Sequence, residues 1–133
     1  MKISTINGES FRIGDLSVFD QLNLARRLTP FSFAIQGMMN PKNVEKDHTV
    51  MVILLLSKLS DEDSDYVTHK CLSAVLRSQG KDWAKLQTPE GVLMFQDITM
   101  KTVVNIVTEV ILENLGDFFR TALSAVAEGA QPT

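Results

Sequence analysis

The stretch that decides the fold is residues 100–126, MKTVVNIVTEVILENLGDFFRTALSAV. Thr99 precedes it and is a suitable N-cap, because its hydroxyl can accept a hydrogen bond from a free amide of the first turn. Gly116 either ends the helix after Leu115 or bends it. The large apolar residues recur at spacings of three and four, which predicts one broad apolar face on a long helix; they are Met100, Val103, Val104, Val107, Val110, Ile111, Leu115, Phe118, Phe119 and Leu123. We expect the rest of the chain to pack on this helix.

Two adjacent aromatic residues, Phe118 and Phe119, lie near the end of the stretch. Burying either ring fully would contribute about 1.5–3 kcal/mol, which favours a place in the core. The alternative is an exposed pair that docks a partner. The sequence leaves both interpretations open.

Composition indicates one soluble domain over residues 1–133, with 44% hydrophobic and 22% charged residues. A net charge of −3 disfavours a sequence-independent nucleic-acid binder, which needs clustered lysines and arginines. The longest apolar run, Val50 to Leu56, is far shorter than a membrane-spanning helix requires. The start of the chain lacks the apolar core of a secretory signal, and the single Cys71 fits a reducing compartment. We therefore expect a location in the host cytoplasm, without a membrane or nucleic-acid partner.

The N-terminal residues 1–14 predict a small β-hairpin, because Asn7-Gly8 separates two short alternating segments. Ser17 then caps a helix, with Asp20 three residues later. Arg26 and Arg27 fall in its last turn, where the helix dipole favours cations, so their ordinary interpretation is a solvated helix end. Four apolar residues of this helix share one face: Val18, Leu22, Ala25 and Leu28.

Further helices are predicted downstream. Pro30 starts one that runs to Met39 and stops at Asn40-Pro41. The segment from Val50 to Leu56 is apolar on every side, so periodicity does not separate a buried helix from a buried strand, and its leucines favour a helix.

Ser60 is predicted to cap a helix from Asp61 to about Ser78, closed by Gly80. From residue 81 to 99 we predict a loop in which Val92 to Phe95 form a short strand or extended segment, and residues 129–133 form a frayed tail. The predicted fold class is mainly α, a helical domain with a small N-terminal β-hairpin.

Sites of known chemistry are not evident. Asp61, Asp63 and Asp65 resemble the start of a calcium loop, but the required glycine and glutamate positions hold Tyr66 and Leu72. Zinc would need more ligands than His69 and Cys71 provide, and a catalytic Cys-His pair has nothing around it to support it. Nucleophile-elbow, P-loop and dinucleotide-binding glycine patterns are missing. We therefore expect no enzyme activity, no metal and no cofactor.

Several segments in order resemble a family of phage tail assembly chaperones. They are RIGDLSVFDQLNLARRLTP near the start, LSDEDSDYVTHKCLSAVLR in the middle, KDWAKL followed by GVLMFQDI, and ENLGDFF in the last helix. The resemblance covers roughly residues 11–119 and rests on the order and spacing of moderate motifs. The segment from Ala34 to Val50 departs most from the family.

The resemblance implies a protein made during assembly of a long-tailed phage or prophage and absent from the finished particle. Such proteins coat the tape measure protein, keep its long apolar helix soluble and help recruit tail tube subunits. A longer form of the chain made by ribosomal frameshifting, and further copies of the chain itself, are additional candidate partners. The alternative function is a structural tail or head-completion subunit that stays in the virion, and a weaker alternative is a regulatory binder of a host protein.

Candidate partner-binding residues are aromatic residues and methionines on the predicted helices. Methionine repacks easily against varied surfaces, although filling gaps in the protein's own core is its commoner role. The candidates are Phe31, Phe33, Met38, Met39, Phe118 and Phe119, with Met38 and Met39 predicted as an exposed pair.

Overall fold

The computed structural model describes residues 1–43 and 47–127, in which five α-helices accompany a four-stranded antiparallel sheet. The strands are β1 (Lys2–Ile6), β2 (Glu9–Ile13), β3 (Val75–Gln79) and β4 (Asp82–Lys85). The helices are α1 (Val18–Leu28), α2 (Ser32–Met39), α3 (Thr49–Ser57), α4 (Asp61–Ser73) and α5 (Met100–Ala127), with short 3₁₀ helices at Thr29–Phe31 and Pro41–Asn43. The tail predicted at residues 129–133 lies outside the described residues.

Helix α5 is the centre of the core, as its apolar face predicted. It packs against all four of the other α-helices and against the first two strands of the sheet, β1 and β2. Thr99 caps it, since the Thr102 amide donates to the Thr99 hydroxyl at 3.3 Å. The helix continues through Gly116, so of the two alternatives at this glycine the one that ends the helix after Leu115 is wrong. The buried residues of α5 include Val104, Ile106, Val107, Val110, Ile111, Leu115 and Phe119.

The side chain of Asn114 joins α5 to the start of the chain. Its Oδ1 accepts from the Leu16 amide at 2.8 Å, and its Nδ2 donates to the Gly14 carbonyl at 3.1 Å. These bonds satisfy backbone groups at the turn between β2 and α1, where neither a strand nor a helix partner is available. A polar residue on α5 thereby fixes the position at which α1 begins.

The N-terminal hairpin is present. Asn7 and Gly8 both have positive φ, 51° and 81°, which is the conformation that a tight hairpin turn requires. The sheet is larger than predicted, however, because its strand order is β1-β2-β3-β4. The prediction of a mainly α domain with only a small hairpin is therefore right about the helices and wrong about the extent of the sheet.

The source of this difference is the segment after Ser73. Helix α4 ends there, and Val75 and Arg77 point into the core while Leu76 is only partly buried, which is the alternation of a strand. Phe11 pairs with Arg77 and Ile13 with Val75. The segment was predicted as the end of a helix, but it forms a strand because β2 pairs with it. Gly80 forms the turn of the β3–β4 hairpin, with φ 61°, instead of closing a helix.

The remaining local predictions agree with the structure at most positions. Ser17 accepts from the Asp20 amide at 3.2 Å and Ser60 from the Asp63 amide at 3.1 Å, so both N-caps are confirmed. The segment from Val50 to Leu56 is helical, and α2 ends at Met39 as predicted. The loop predicted for residues 81–99 is shorter than expected, because Asp82–Lys85 form strand β4. Residues 86–99 form an irregular segment whose only bridge among the described residues joins Gln87 to Leu93. In the described part of the chain, no helix has both the length and the apolar character needed to cross a bilayer.

Candidate partner-binding surfaces

Helix α3 has an exposed apolar surface. Only Val52 and Leu55 are buried, although almost every residue of the helix is apolar. Residues three and four apart lie on one helix face, so the exposed side chains adjoin one another; they are Val50, Met51, Ile53 and Leu54. The sequence predicted a buried element here. A helix that is apolar all round needs neighbours on every side to be buried, and α3 packs mainly against α5 alone.

Helix α1 repeats this arrangement. Leu24 and Leu28 are buried, whereas Val18, Phe19 and Leu22 are exposed. The apolar face predicted for this helix is therefore divided, with its C-terminal part in the core and its N-terminal part at the surface. Large apolar side chains that adjoin one another at a surface are typical of interaction sites.

The position of α1 is fixed by α4. Arg27 Nε donates to Asp63 Oδ1 at 2.8 Å, and the Arg27 guanidinium lies 4.0 Å from the centre of the Tyr66 ring. Lys70 pairs with Asp20 at 3.4 Å and also faces the Tyr66 ring. One cation–π contact, between Arg27 and Tyr66, and two ion pairs therefore join α1 to α4, and the opposite side of α1 faces the solvent.

A cleft of about 620 Å³ lies where the C-terminal end of α1 approaches the junction of α3 and α4. Its apolar part comes from Pro30, Phe31 and Leu59, and its charged part from Arg26 and Lys58 beside the Arg27–Asp63 pair. Arg26 Nη2 donates to Asn23 Oδ1 at 3.1 Å. Within the described residues, neither Arg26 nor Lys58 has an ion-pair partner closer than 4 Å.

A second groove, of about 500 Å³, runs along α5 beside the edge strand β1. Lys2 of β1 pairs with Glu109 of α5 at 2.6 Å across it. His48 lines the groove, and its Nε2 is buried with no hydrogen-bond partner among the residues described. The lining mixes polar and apolar groups, and its main charges are already paired.

A third exposed apolar segment, Val92 to Met94, belongs to the irregular chain between β4 and α5. Buried Arg77 holds this chain in place through two hydrogen bonds to Asp97, both 2.7 Å long. Those bonds lower the pKa of the Asp97 carboxyl, because they favour its charged form. The segment is thus attached to the sheet by a charged pair.

The predicted site residues do not form one surface. Phe33 is 75% exposed on α2, and Phe31 is half-buried in the cleft at the end of α1. Met38 is buried and Met39 partly buried where α2 meets α5, so they are not the predicted exposed pair. Phe118 and Phe119 pack edge to face with ring centres 5.1 Å apart, Phe118 being 45% exposed and Phe119 fully buried.

Potential metal ligands are not brought together in the parts of the chain that the structure describes. No three His, Cys, Asp or Glu side chains there form a group that could hold a metal ion. Burial raises the pKa of the Cys71 thiol to about 12, so almost none of it is the nucleophilic thiolate at neutral pH. The geometry supports binding through apolar surface better than it supports chemistry.

Comparison with known proteins agrees with this geometry. Residues 7–127 match the protein family described as phage tail assembly chaperone protein, TAC. No curated protein and no solved structure shows a significant match. Since the family match covers every described strand and helix except β1, the chain belongs to the phage tail assembly chaperone family.

Proposed function

We propose that this chain binds the tape measure protein of its phage in the host cytoplasm, keeps it soluble and helps recruit tail tube subunits during tail assembly. The observation that carries the proposal, beside the family, is the exposed apolar surface of α3. A chaperone of this kind acts by covering apolar segments of another protein, so its function requires a surface and no catalytic group.

Exposed apolar side chains on α3 are unfavourable in water and gain free energy when a partner covers them. Covering a large aliphatic side chain fully contributes about 1.5–3 kcal/mol, and α3 offers four such side chains that are partly or largely exposed. An amphipathic helix docks through anchors three and four residues apart, and a long apolar helix presents that pattern many times. Weak contacts that repeat along one partner raise the effective concentration, so we expect several copies of the chain on each tape measure protein.

The test is co-expression with the tape measure protein from the same genome, followed by purification and light scattering of the complex. We expect a soluble complex with several copies of this chain, whereas the tape measure protein expressed alone aggregates. Equal solubility without this chain would contradict the proposal.

Mass spectrometry of purified virions separates the chaperone from a structural tail or head-completion subunit. A chaperone is absent from the finished particle. Stoichiometric amounts of this chain in virions would replace the proposal with the structural alternative.

A further inference from the structure

The exposed stripes of α1 and α3 lead to the same cleft. On α1, Val18, Leu22 and Arg26 are four residues apart and share one face. The same spacing joins Val50 and Leu54 of α3 to Lys58, the C-cap residue that follows the helix. Both stripes are apolar at their N-terminal ends and cationic at their C-terminal ends. Arg26 and Lys58 line one cleft, so the two cationic ends meet.

We propose that the two stripes and this cleft form one docking surface for an amphipathic helix that carries carboxylates at one end. The inference rests on the proposed function, since it names the surface and the kind of partner segment that the chaperone would use. The apolar anchors of the partner cover Leu22 and Leu54, and its carboxylates pair with Arg26 and Lys58.

Charge selects this partner. The chain as a whole has a net charge of −3, yet the cleft presents Arg26 and Lys58, neither of which has an ion-pair partner within the described ranges 1–43 and 47–127. The third cation of the cleft, Arg27, is already paired with Asp63. A carboxylate-bearing segment therefore finds two exposed cations beside apolar surface, whereas a basic segment meets repulsion.

The dimensions suit a helix. Val18 and Arg26 are eight residues apart on α1, which corresponds to about 12 Å along the helix axis. Pro30, Phe31 and Leu59 extend the apolar surface into the cleft. A partner of three to four turns would span the stripe and reach the cations.

The first test uses two fluorescent helical peptides of about 14 residues, roughly four turns. Both have the same leucine stripe; one carries a pair of glutamates at one end, and the other carries lysines there. Fluorescence anisotropy should show that the full chain binds the glutamate peptide at least about fivefold more tightly at low salt, since two exposed ion pairs are involved. The preference should disappear at roughly 1 M salt, where charges are screened beyond about 3 Å.

Variants assign the effect to the surface. Arg26→Glu with Lys58→Glu should reverse the preference between the peptides, and Leu22→Ser with Leu54→Ser should weaken both. The matched controls are Lys81→Glu with Lys85→Glu, which makes the same change of charge at exposed positions on the β3–β4 hairpin, and Val92→Ser, which removes an exposed apolar side chain elsewhere. Circular dichroism melts verify that each variant folds.

Equal binding of the two peptides, no binding of either, or the same response from the control variants would overturn the assignment. If the wild-type chain self-associates and the Arg26→Glu, Lys58→Glu variant does not, the surface binds a second copy of the chain, and the assignment to a partner helix is overturned. The outcomes separate from those of the proposed function. If the peptides behave as expected but the tape measure protein is soluble alone, the docking surface is supported and the proposed function is contradicted. If the tape measure protein needs this chain but the charge variant solubilises it equally well, the proposed function is supported and the docking surface is contradicted.

Discussion

Helices α5 and α3 are both rich in large apolar residues, but the protein uses them in opposite ways. Helix α5 is surrounded by the sheet and by α2, α3 and α4, and it buries residues on most of its circumference between Thr102 and Phe119. Helix α3 contacts α5 along one line and buries only Val52 and Leu55. The difference shows that burial depends on the neighbours that the fold supplies, because apolar content alone would place α3 in the core.

The two helices are expected to contribute to different free energies. Apolar surface that faces the interior contributes to the free energy of folding, whereas apolar surface that faces solvent contributes only when a partner covers it. We therefore expect α5 to contribute mainly to stability and the exposed side of α3 to contribute to the proposed binding. Substitutions on the two helices test this division.

The largest effect is expected at Phe119. Replacing it with alanine removes a fully buried ring and leaves a cavity, which should lower the free energy of unfolding by about 3–5 kcal/mol. Phe118→Ala is the matched control, because the same change at a 45% exposed position should cost much less. Urea denaturation measures both. Equal losses would show that the two rings are not divided between core and surface.

Two adjacent leucines on α3 provide the next test. Leu55 is 4% exposed and Leu54 is 57% exposed. Leu55→Ala should cost about 2–5 kcal/mol, whereas Leu54→Ala should stay within about 0.5 kcal/mol and instead weaken partner binding. Chemical denaturation and co-purification with the tape measure protein measure the two effects. A large loss of stability in Leu54→Ala would mean that α3 is covered on its outer side.

A smaller effect is expected from the cap of α1, which resembles α3 in burying only two side chains. Ser17→Ala leaves the Asp20 amide without its acceptor and should cost about 1 kcal/mol. Ser17→Gly should cost only a few tenths of a kcal/mol, since glycine is a tolerated N-cap. Thermal melts compare the two variants, and indistinguishable midpoints for serine and alanine would show that the cap bond contributes nothing.

The smallest effect concerns Asp47, which connects α3 to α5. It accepts hydrogen bonds from the hydroxyl and amide of Thr49 in α3 and pairs with Lys101 of α5 at 3.2 Å. The Thr49 hydroxyl is the main reason that the pKa of Asp47 falls from 3.8 to about 2. Because the folded pKa is the lower one, the stabilising contribution is present above 3.8 and is lost as the pH falls toward 2.

Carboxyl NMR titration checks this order of causes. Thr49→Val should raise the pKa of Asp47 more than Lys101→Gln does, since the hydrogen bond outweighs the lysine charge. The reverse order, or a wild-type value near 3.8, would contradict the structure at this junction.

The sequence predicted the features that depend on near neighbours in the chain. The Asn7-Gly8 turn, the caps at Ser17, Ser60 and Thr99, and the apolar face of α5 each rest on residues within a few positions of one another. Strand β3 could not be predicted in this way. Its identity depends on pairing with β2, more than sixty residues earlier, and the spacing of Leu72, Val75 and Leu76 fits a helix equally well.

The surfaces were harder to predict than the elements. Phe118 and Phe119 are adjacent and chemically identical, and only the packing around α5 decides which one is buried. Val18 and Leu22 share a predicted face with Leu28, yet they extend beyond the part of α1 that the core covers. Arg26 and Lys58, the charged end of the proposed docking surface, line one cleft, and no local pattern relates residues so far apart in the sequence.

The position of α5 in the chain has a consequence for synthesis. Every other described strand and helix is made before it, and at about 5–20 residues per second the preceding 99 residues take roughly 5–20 s to translate. During that interval, side chains such as Leu24, Leu28 and Val52 lack the helix that later helps to enclose them. The nascent chaperone therefore carries an uncovered apolar surface of its own, and its folding is completed only when α5 arrives.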